Sequence, residues 1–306
     1  MTKRWSAELE LVGAGGEPVD LWRTLSSHGV ADLAPNAIDE DGRMLETTLP
    51  LRRGRARTVR IRAGRPGFAL VEAGDIGSRD AIQLAESARY MLRLDADLSA
   101  FYDVARADPD LAWACAGAGR MLRSPTVFED VVKTICTTNC TWSATVRMTG
   151  ALVSQLGIEA PDGRRAFPTP EAMAEADEAF YKDVVRAGYR GPYLRSLALD
   201  VAEGAIDLEE LNDPALPDDE VAARLLALPG CGPYAAAHMM MLVGRYSRLI
   251  LDSWTRPKYA RLNGRKTADK TIERRFRRYG NYAGLAFWLY LTRDWVEEAT
   301  DVRLTE

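Results

Sequence analysis

Through the first seventy or so residues, apolar and polar positions alternate with a period of two. Residues 5–11 alternate until the glycine-rich stretch 13–16 ends the run. A short helix over 19–27, closed by Gly29, interrupts the pattern. Residues 45–51, 58–62 and 68–72 then read as strands parted by Gly/Arg turns, so an antiparallel sheet is expected. After Gly77-Ser78 the period becomes helical. Ser78 is placed to cap a helix running to about Leu92, and further helices are expected at 96–107, 110–116 and 126–156. The last of these starts after Ser124-Pro125 and is broken by Asn139. More follow at 170–176, 178–187, 192–203, 219–228, 233–244, 252–262 and 281–298. The pattern predicts an α+β fold, with a small N-terminal antiparallel β domain (1–77) packed on an all-α body (78–306). No internal repeat or low-complexity linker appears.

Composition narrows the class. The chain has 306 residues, 47% apolar and 27% charged, enough to bury sizeable cores and far from disordered, collagen-like or disulfide-stapled sequences. The longest apolar run, 235–243, contains His238 and falls short of the ~18 residues of a spanning helix. Met1-Thr2-Lys3-Arg4-Trp5 leads into Glu8 and Glu10 rather than a signal core, so a soluble protein of the cytoplasm, or of the nucleoid in a bacterium, is expected. The four cysteines show no CxxC spacing. Cys136 and Cys140, four apart in an apolar helical stretch, read as core packing, because zinc wants four ligands and an iron–sulfur cluster four clustered thiolates. No required cofactor is expected. Net charge is −4, yet 52–65 holds seven arginines and no acid, and 265–278 carries a net +5. Such runs are either solvated faces or the footprint of a polyanion.

The stretch that carries chemistry is Leu228-Pro229-Gly230-Cys231-Gly232-Pro233-Tyr234 followed by three alanines and His238. Asp218 or Asp219 can cap an incoming helix with Val221, Leu225 and Leu228 on one face. The turn is short, its glycines permit positive φ, and Pro233 suits the first turn of the outgoing helix. Backbone amides near Gly230, Gly232 and Tyr234 would point outward from a helix N-terminus, a phosphate site that reads no sequence. Beyond the second helix, residues 247–254 form an apolar run ending in Asp252 at a helix start. A lone aspartate there is also an ordinary helix cap.

This hairpin, followed by Leu251-Asp252, resembles the helix-hairpin-helix base-excision DNA glycosylases, and other motifs resemble the 8-oxoguanine/3-methyladenine branch in order. They are Gly119-Arg120-Met121-Leu122-Arg123, Ile135-Cys136-Thr137-Thr138-Asn139, Gly188-Tyr189-Arg190 ahead of Tyr193, and Gly280-Asn281-Tyr282-Ala283-Gly284. The resemblance covers about residue 90 to the end. It implies that Asp252 is the catalytic carboxylate, that Asn139 fills the gap left by an extruded base, and that Tyr189 and Arg190 supply the wedge and the orphan-base contact. The main-chain carbonyls of Leu226, Leu228 and Cys231 match those that hold Na+ or K+ in relatives. The lysine nucleophile of bifunctional relatives is replaced by Tyr234, and a phenol cannot form a Schiff base. Lys258, six residues past Asp252, is a poor substitute. The branch's base-reading glutamine is replaced by Phe287, and an aromatic four residues later by Leu291.

These matches imply a monofunctional enzyme acting as a monomer on damaged double-stranded DNA. With Phe287, Leu291, Trp254 and Tyr290 the expected pocket is aromatic rather than polar, while Trp142 reads as core. Aromatic faces attract cationic rings by about 0.5–2 kcal/mol, so N-alkylated purines are expected to leave faster than 8-oxoguanine. The alternatives are an 8-oxoguanine glycosylase, a non-catalytic damage-binding protein, and a helical scaffold with a structural hairpin.

Overall fold

A computed structural model describes residues 4–296; the opening tripeptide, and Glu297 and Glu298 of the predicted last helix, lie outside them. Five strands form one antiparallel sheet: β1 (Trp5–Glu10), β2 (Ala37–Asp39), β3 (Met44–Leu51), β4 (Arg55–Ala63) and β5 (Phe68–Ala73), in the order β1-β5-β4-β3-β2. Register puts Leu45, Ile61, Val71 and Ala7 in one cross-strand row. Leu45, Ile61 and Val71 are fully buried, the direct outcome of the period-two pattern. The sheet's core also takes in Leu84, Ala88 and Met91 of α2 (Ser78–Met91), spaced four and three apart, and continues through Leu94.

Four of the seven arginines of 52–65 are ion-paired around the sheet. Arg60 pairs with Glu46 at 2.7 Å, Arg62 with Glu72 at 2.8 Å, Arg65 with Glu8 at 2.8 Å and Arg55 with Asp80 at 2.7 Å. The acids come from neighbouring strands and from α2, so these four arginines belong to a solvated ion-pair lattice. Within 265–278, Arg275 and Arg278 are likewise matched to Asp110 and Asp108.

The helical body comprises α3 (Ser99–Arg106), α4 (Val127–Thr137), α5 (Trp142–Leu156), α6 (Pro170–Glu175), α7 (Arg190–Ala202), α8 (Asp218–Ala227), α9 (Pro233–Leu242), α10 (Thr255–Asn263), α11 (Asp269–Phe276) and α12 (Ala283–Thr292); α1 (Leu21–Leu25) stands ahead of them among the strands. Three helices are buried nearly all round: α4 from Val127 to Cys136, α9 from Ala235 to Leu242, and α12 throughout. Such helices form the centre of the body.

Several boundaries differ from the sequence pattern for local reasons. The cap of α2 is Gly77, with no side-chain bond, and α8 is preceded by Pro217 while Asp218 turns instead to Ser247 at 2.6 Å. By contrast, the break expected at Asn139 within 126–156 is present, and the run forms two helices. Asn139, at φ 46°, turns the chain between them. The stretch 178–187 is helical only over 178–184, with a π-helical turn at Phe180–Val184, and α11 and β2 carry no periodic signal long enough to be read.

Sheet and helices are stitched together by buried polar contacts. The Arg120 guanidinium is fully buried, pairs with Glu17, and donates to the carbonyls of Arg93 and Ala96 at 2.7 and 3.0 Å. Glu17 in turn accepts the Leu98 amide at 2.7 Å. Trp288 of α12 donates to the Ser27 carbonyl at 2.8 Å, and His28 meets the Leu122 carbonyl at 2.7 Å. These bonds hold residues 27–30 against the helical body beside α9 and α12.

Candidate active site

Between α8 and α9 the chain reverses in five residues. Gly230 takes φ 80°, and a Cβ there would come within 3.0 Å of the Tyr193 ring and 3.3 Å of Ile135. Glycine is therefore required twice over, by conformation and by space. Gly232 precedes α9 and Pro233 opens it. The amides of Gly230, Gly232 and Tyr234 donate to no acceptor among the described residues, whereas the Ala236 amide already returns to the Gly232 carbonyl at 2.9 Å. Unpaired donors at a helix start suit an anion. On the hairpin's carbonyl side, Leu228 accepts the Cys231 amide at 3.1 Å, and the carbonyls of Leu226 and Cys231 accept nothing from the described residues.

After α9 the chain crosses buried Ile250 to Asp252. One carboxylate oxygen of Asp252 accepts the amides of Trp254 at 2.8 Å and Thr255 at 2.6 Å, and the Asp252 amide donates to the Thr255 hydroxyl at 2.8 Å. This reciprocal cap pins the carboxylate at the start of α10. The other oxygen receives no donor from the described residues. The cap and the catalytic readings of Asp252 are thus compatible, because each uses a different oxygen.

Asp252 lines a cavity of about 410 Å³. Part of its wall is a cluster of Trp254, Trp288 and Trp295 with ring centroids 5.5–5.9 Å apart. Trp142, nearly half exposed rather than in the core, stands at the same cavity beside Gly29.

Of the four residues expected to form a pocket, only Trp254 lines this cavity. Phe287, Tyr290 and Leu291 are a correction: all three are buried and none of them lines it. Phe287 packs on Phe276 and Tyr259 at 5.2 and 6.1 Å between ring centroids, and Tyr290 lies under the Arg275 guanidinium at 4.5 Å. Leu291 is fully buried. Each residue turns a helix by ~100°, so Trp288, one position along, takes the cavity side. Gly284 fixes that rotation, since a Cβ on it would strike the Arg248 carbonyl at 2.0 Å. Trp288 and Trp295, seven apart, share a face, and that spacing was the available signal.

Tyr234 lines the cavity with its hydroxyl 3.4 Å from that of Thr137. Burial raises its pKa above the ordinary value, with the neighbouring Asp252 charge adding to the effect. Lys258 is paired with Asp294 and is not part of the cavity wall. Cys136 is buried as expected, its thiol pushed up to about 12 by burial, while Cys140 reaches the cavity edge. Among the described residues no group of three or more His, Cys, Asp or Glu side chains could hold a metal ion, and no helix is long and apolar enough to cross a membrane.

Asn139, in the α4–α5 turn, donates to the Tyr189 hydroxyl at 3.2 Å, and Tyr189 is half exposed. The structure thus joins two residues fifty positions apart in one projecting pair. Arg190 is not at the surface with them. It is 6% exposed, lies 4.5 Å from the Tyr189 ring centroid and donates to the Thr138 hydroxyl at 3.3 Å, so it braces the pair from behind.

Two buried imidazoles, His28 and His238, complete the cavity. Burial, reinforced by repulsion from His238, lowers His28 to about 3, and burial lowers His238 to about 4. Both fall below the ordinary 6.5, so on acidification the unfolded chain takes up protons that the folded one refuses. Their contribution to stability is complete above pH 6.5 and declines as pH falls toward 3. The thermal midpoint should therefore drop between pH 7 and 5 less steeply in His28→Leu than in the parent; parallel slopes would contradict a neutral buried His28.

No family model matches the chain. A Bacillus subtilis relative bearing the provisional name DNA-3-methyladenine glycosylase YfjP is 27% identical over 115 residues, 38% of this chain. The match spans about two fifths of that relative's length, 39%. Among solved structures, the 3-methyladenine DNA glycosylase of Archaeoglobus fulgidus is similar over 95% of this chain and 99% of that one, at TM-score 0.69 and 21% identity. The 8-oxoguanine glycosylase/lyase of Clostridium acetobutylicum without DNA is similar over 95% and 98%, at TM-score 0.70 and 20% identity.

Proposed function

We propose that this chain, which has the fold of those DNA glycosylases, is a base-excision-repair enzyme that extrudes a damaged purine from duplex DNA and hydrolyses its N-glycosidic bond with Asp252. The observation that carries this reading is one carboxylate, held by its α10 cap, in the wall of a tryptophan-lined cavity. A base inside a stacked duplex is out of reach, so it must be flipped, at a cost of a few kcal/mol. The Asn139–Tyr189 pair, braced by Arg190, is suited to enter the gap. The amides of Gly230, Gly232 and Tyr234 are suited to the backbone phosphate, and the carbonyls of Leu226, Leu228 and Cys231 would hold a monovalent cation at the same turn.

As the C1′–N bond breaks, the base leaves with the electron pair and positive charge grows on the sugar. The Asp252 oxygen not used in the cap stabilises that charge and orients the water that adds at C1′, accepting its proton. The aromatic expectation survives the loss of Phe287, since the tryptophans supply the ring faces. An N-alkylated purine is already cationic, is attracted to those faces and is a ready leaving group. The fold is similar to glycosylases of both lesion types, so the choice rests on the cavity.

The test is a panel of duplexes each bearing one lesion, scored for base release. N-alkylated purines such as 3-methyladenine and 7-methylguanine should lead. An 8-oxoguanine lead would overturn the substrate assignment, and duplex binding without any release would mark a non-catalytic binder.

A further inference from the structure

The chain contains two histidines, and both line the same cavity. They come from distant segments: His28 follows α1, and His238 lies on α9. Each is at least 95% buried, and their rings meet edge to face at 5.5 Å. His28 Nε2 lies 2.7 Å from the Leu122 carbonyl. A carbonyl only accepts, so Nε2 carries the proton and Nδ1 is left as a bare acceptor. That Nδ1 has no partner in the protein, and neither has His238 Nε2. Two buried ring nitrogens without a protein partner, in a wall that mixes tryptophans with Thr137, Thr145, Ser253 and Asp252, leave a hydrogen-bonding requirement that an occupant of the cavity can satisfy.

We propose that His28, with His238 beside it, selects the flipped base by accepting a hydrogen bond from an N–H group, favouring alkylated purines that retain an amine or ring N–H over adducts that have lost it. The inference rests on the reading of this cavity as the base pocket and adds the edge that it reads. The lowered pKa of both imidazoles keeps His28 Nδ1 a lone-pair acceptor at neutral pH and spares a cationic base from repulsion. Alkylation strengthens the case, because positive charge on the purine makes its remaining N–H a better donor to a neutral imidazole. A site with a buried acceptor penalises an analogue that cannot donate, since the acceptor then stays unpaired.

The probes are two duplexes of one sequence, one with 7-methylguanine, which keeps N1–H and its exocyclic amine, the other with 1,N6-ethenoadenine, whose corresponding edge has no N–H. Single-turnover base release is measured for the parent, His28→Leu and His28→Asn, and affinity is measured for both lesion duplexes and for an abasic duplex. His28→Leu should lower the 7-methylguanine to ethenoadenine rate ratio by at least about tenfold. His28→Asn, whose amide oxygen can replace Nδ1, should recover much of it, and abasic-duplex affinity should stay at the parent value in both. A folded His28→Leu with the parent's ratio would overturn the proposal. Should the parent release neither base, the excision reading fails by itself; the ratio of affinities for the two lesion duplexes, parent against His28→Leu, then decides the role of His28.

Discussion

Replacing Asp252 with asparagine is expected to lower base release by at least about 100-fold, a loss of about 2.7 kcal/mol of transition-state stabilisation, while duplex binding persists. The substitution is close to isosteric, and its amide oxygen can still accept the Trp254 and Thr255 amides that shape the start of α10. On the proposed reading it removes the negative charge that would face the sugar, and with it the base that would take a proton from water. A charge beside a developing cation in a partly enclosed, tryptophan-walled cavity is worth more than the same charge in bulk water. Thermal unfolding measured alongside would register any damage to the cap. A folded Asp252→Asn protein with near-parental release would remove Asp252 from the chemistry and return it to the role of a helix cap.

Borohydride added to a reacting mixture of protein and lesion duplex is expected to trap no covalent adduct, and the product strand should carry an intact abasic site. A Schiff base needs an unprotonated amine beside C1′. By the sequence resemblance Tyr234 stands at the hairpin position where bifunctional glycosylases carry lysine, and burial and the Asp252 charge raise the pKa of its phenol. Lys258 is ion-paired to Asp294 and does not line the cavity. The two possible nucleophiles are therefore the wrong group and the wrong place. An adduct that disappears in Lys258→Ala would show that Lys258 leaves Asp294 during the reaction and that the enzyme is a lyase.

Local pattern alone determined much of this protein. Period-two alternation placed β1, β3, β4 and β5, because a half-buried strand must change face at every residue. The hairpin was legible because its requirements are local: Gly230 must take positive φ, Pro233 must open a helix, and the amides between them must point out. Asp252 was legible for the same reason, as a carboxylate at a helix start. Other features depended on what lies across the fold. That four of the seven arginines of 52–65 are paired was decided by Glu8, Glu46, Glu72 and Asp80, which only sheet register and the packing of α2 bring alongside. The face of α12 that meets the cavity was decided by the close approach of Gly284 to the Arg248 carbonyl, and one position of error exchanged Phe287 for Trp288. A helix buried all round, as α12 is, has no polar side from which its rotation can be read. His28 could not be assigned to the site at all from its neighbours. It sits more than two hundred residues from His238 and Asp252, and only the bonds of Ser27 and His28 to Trp288 and Leu122 bring it to the cavity.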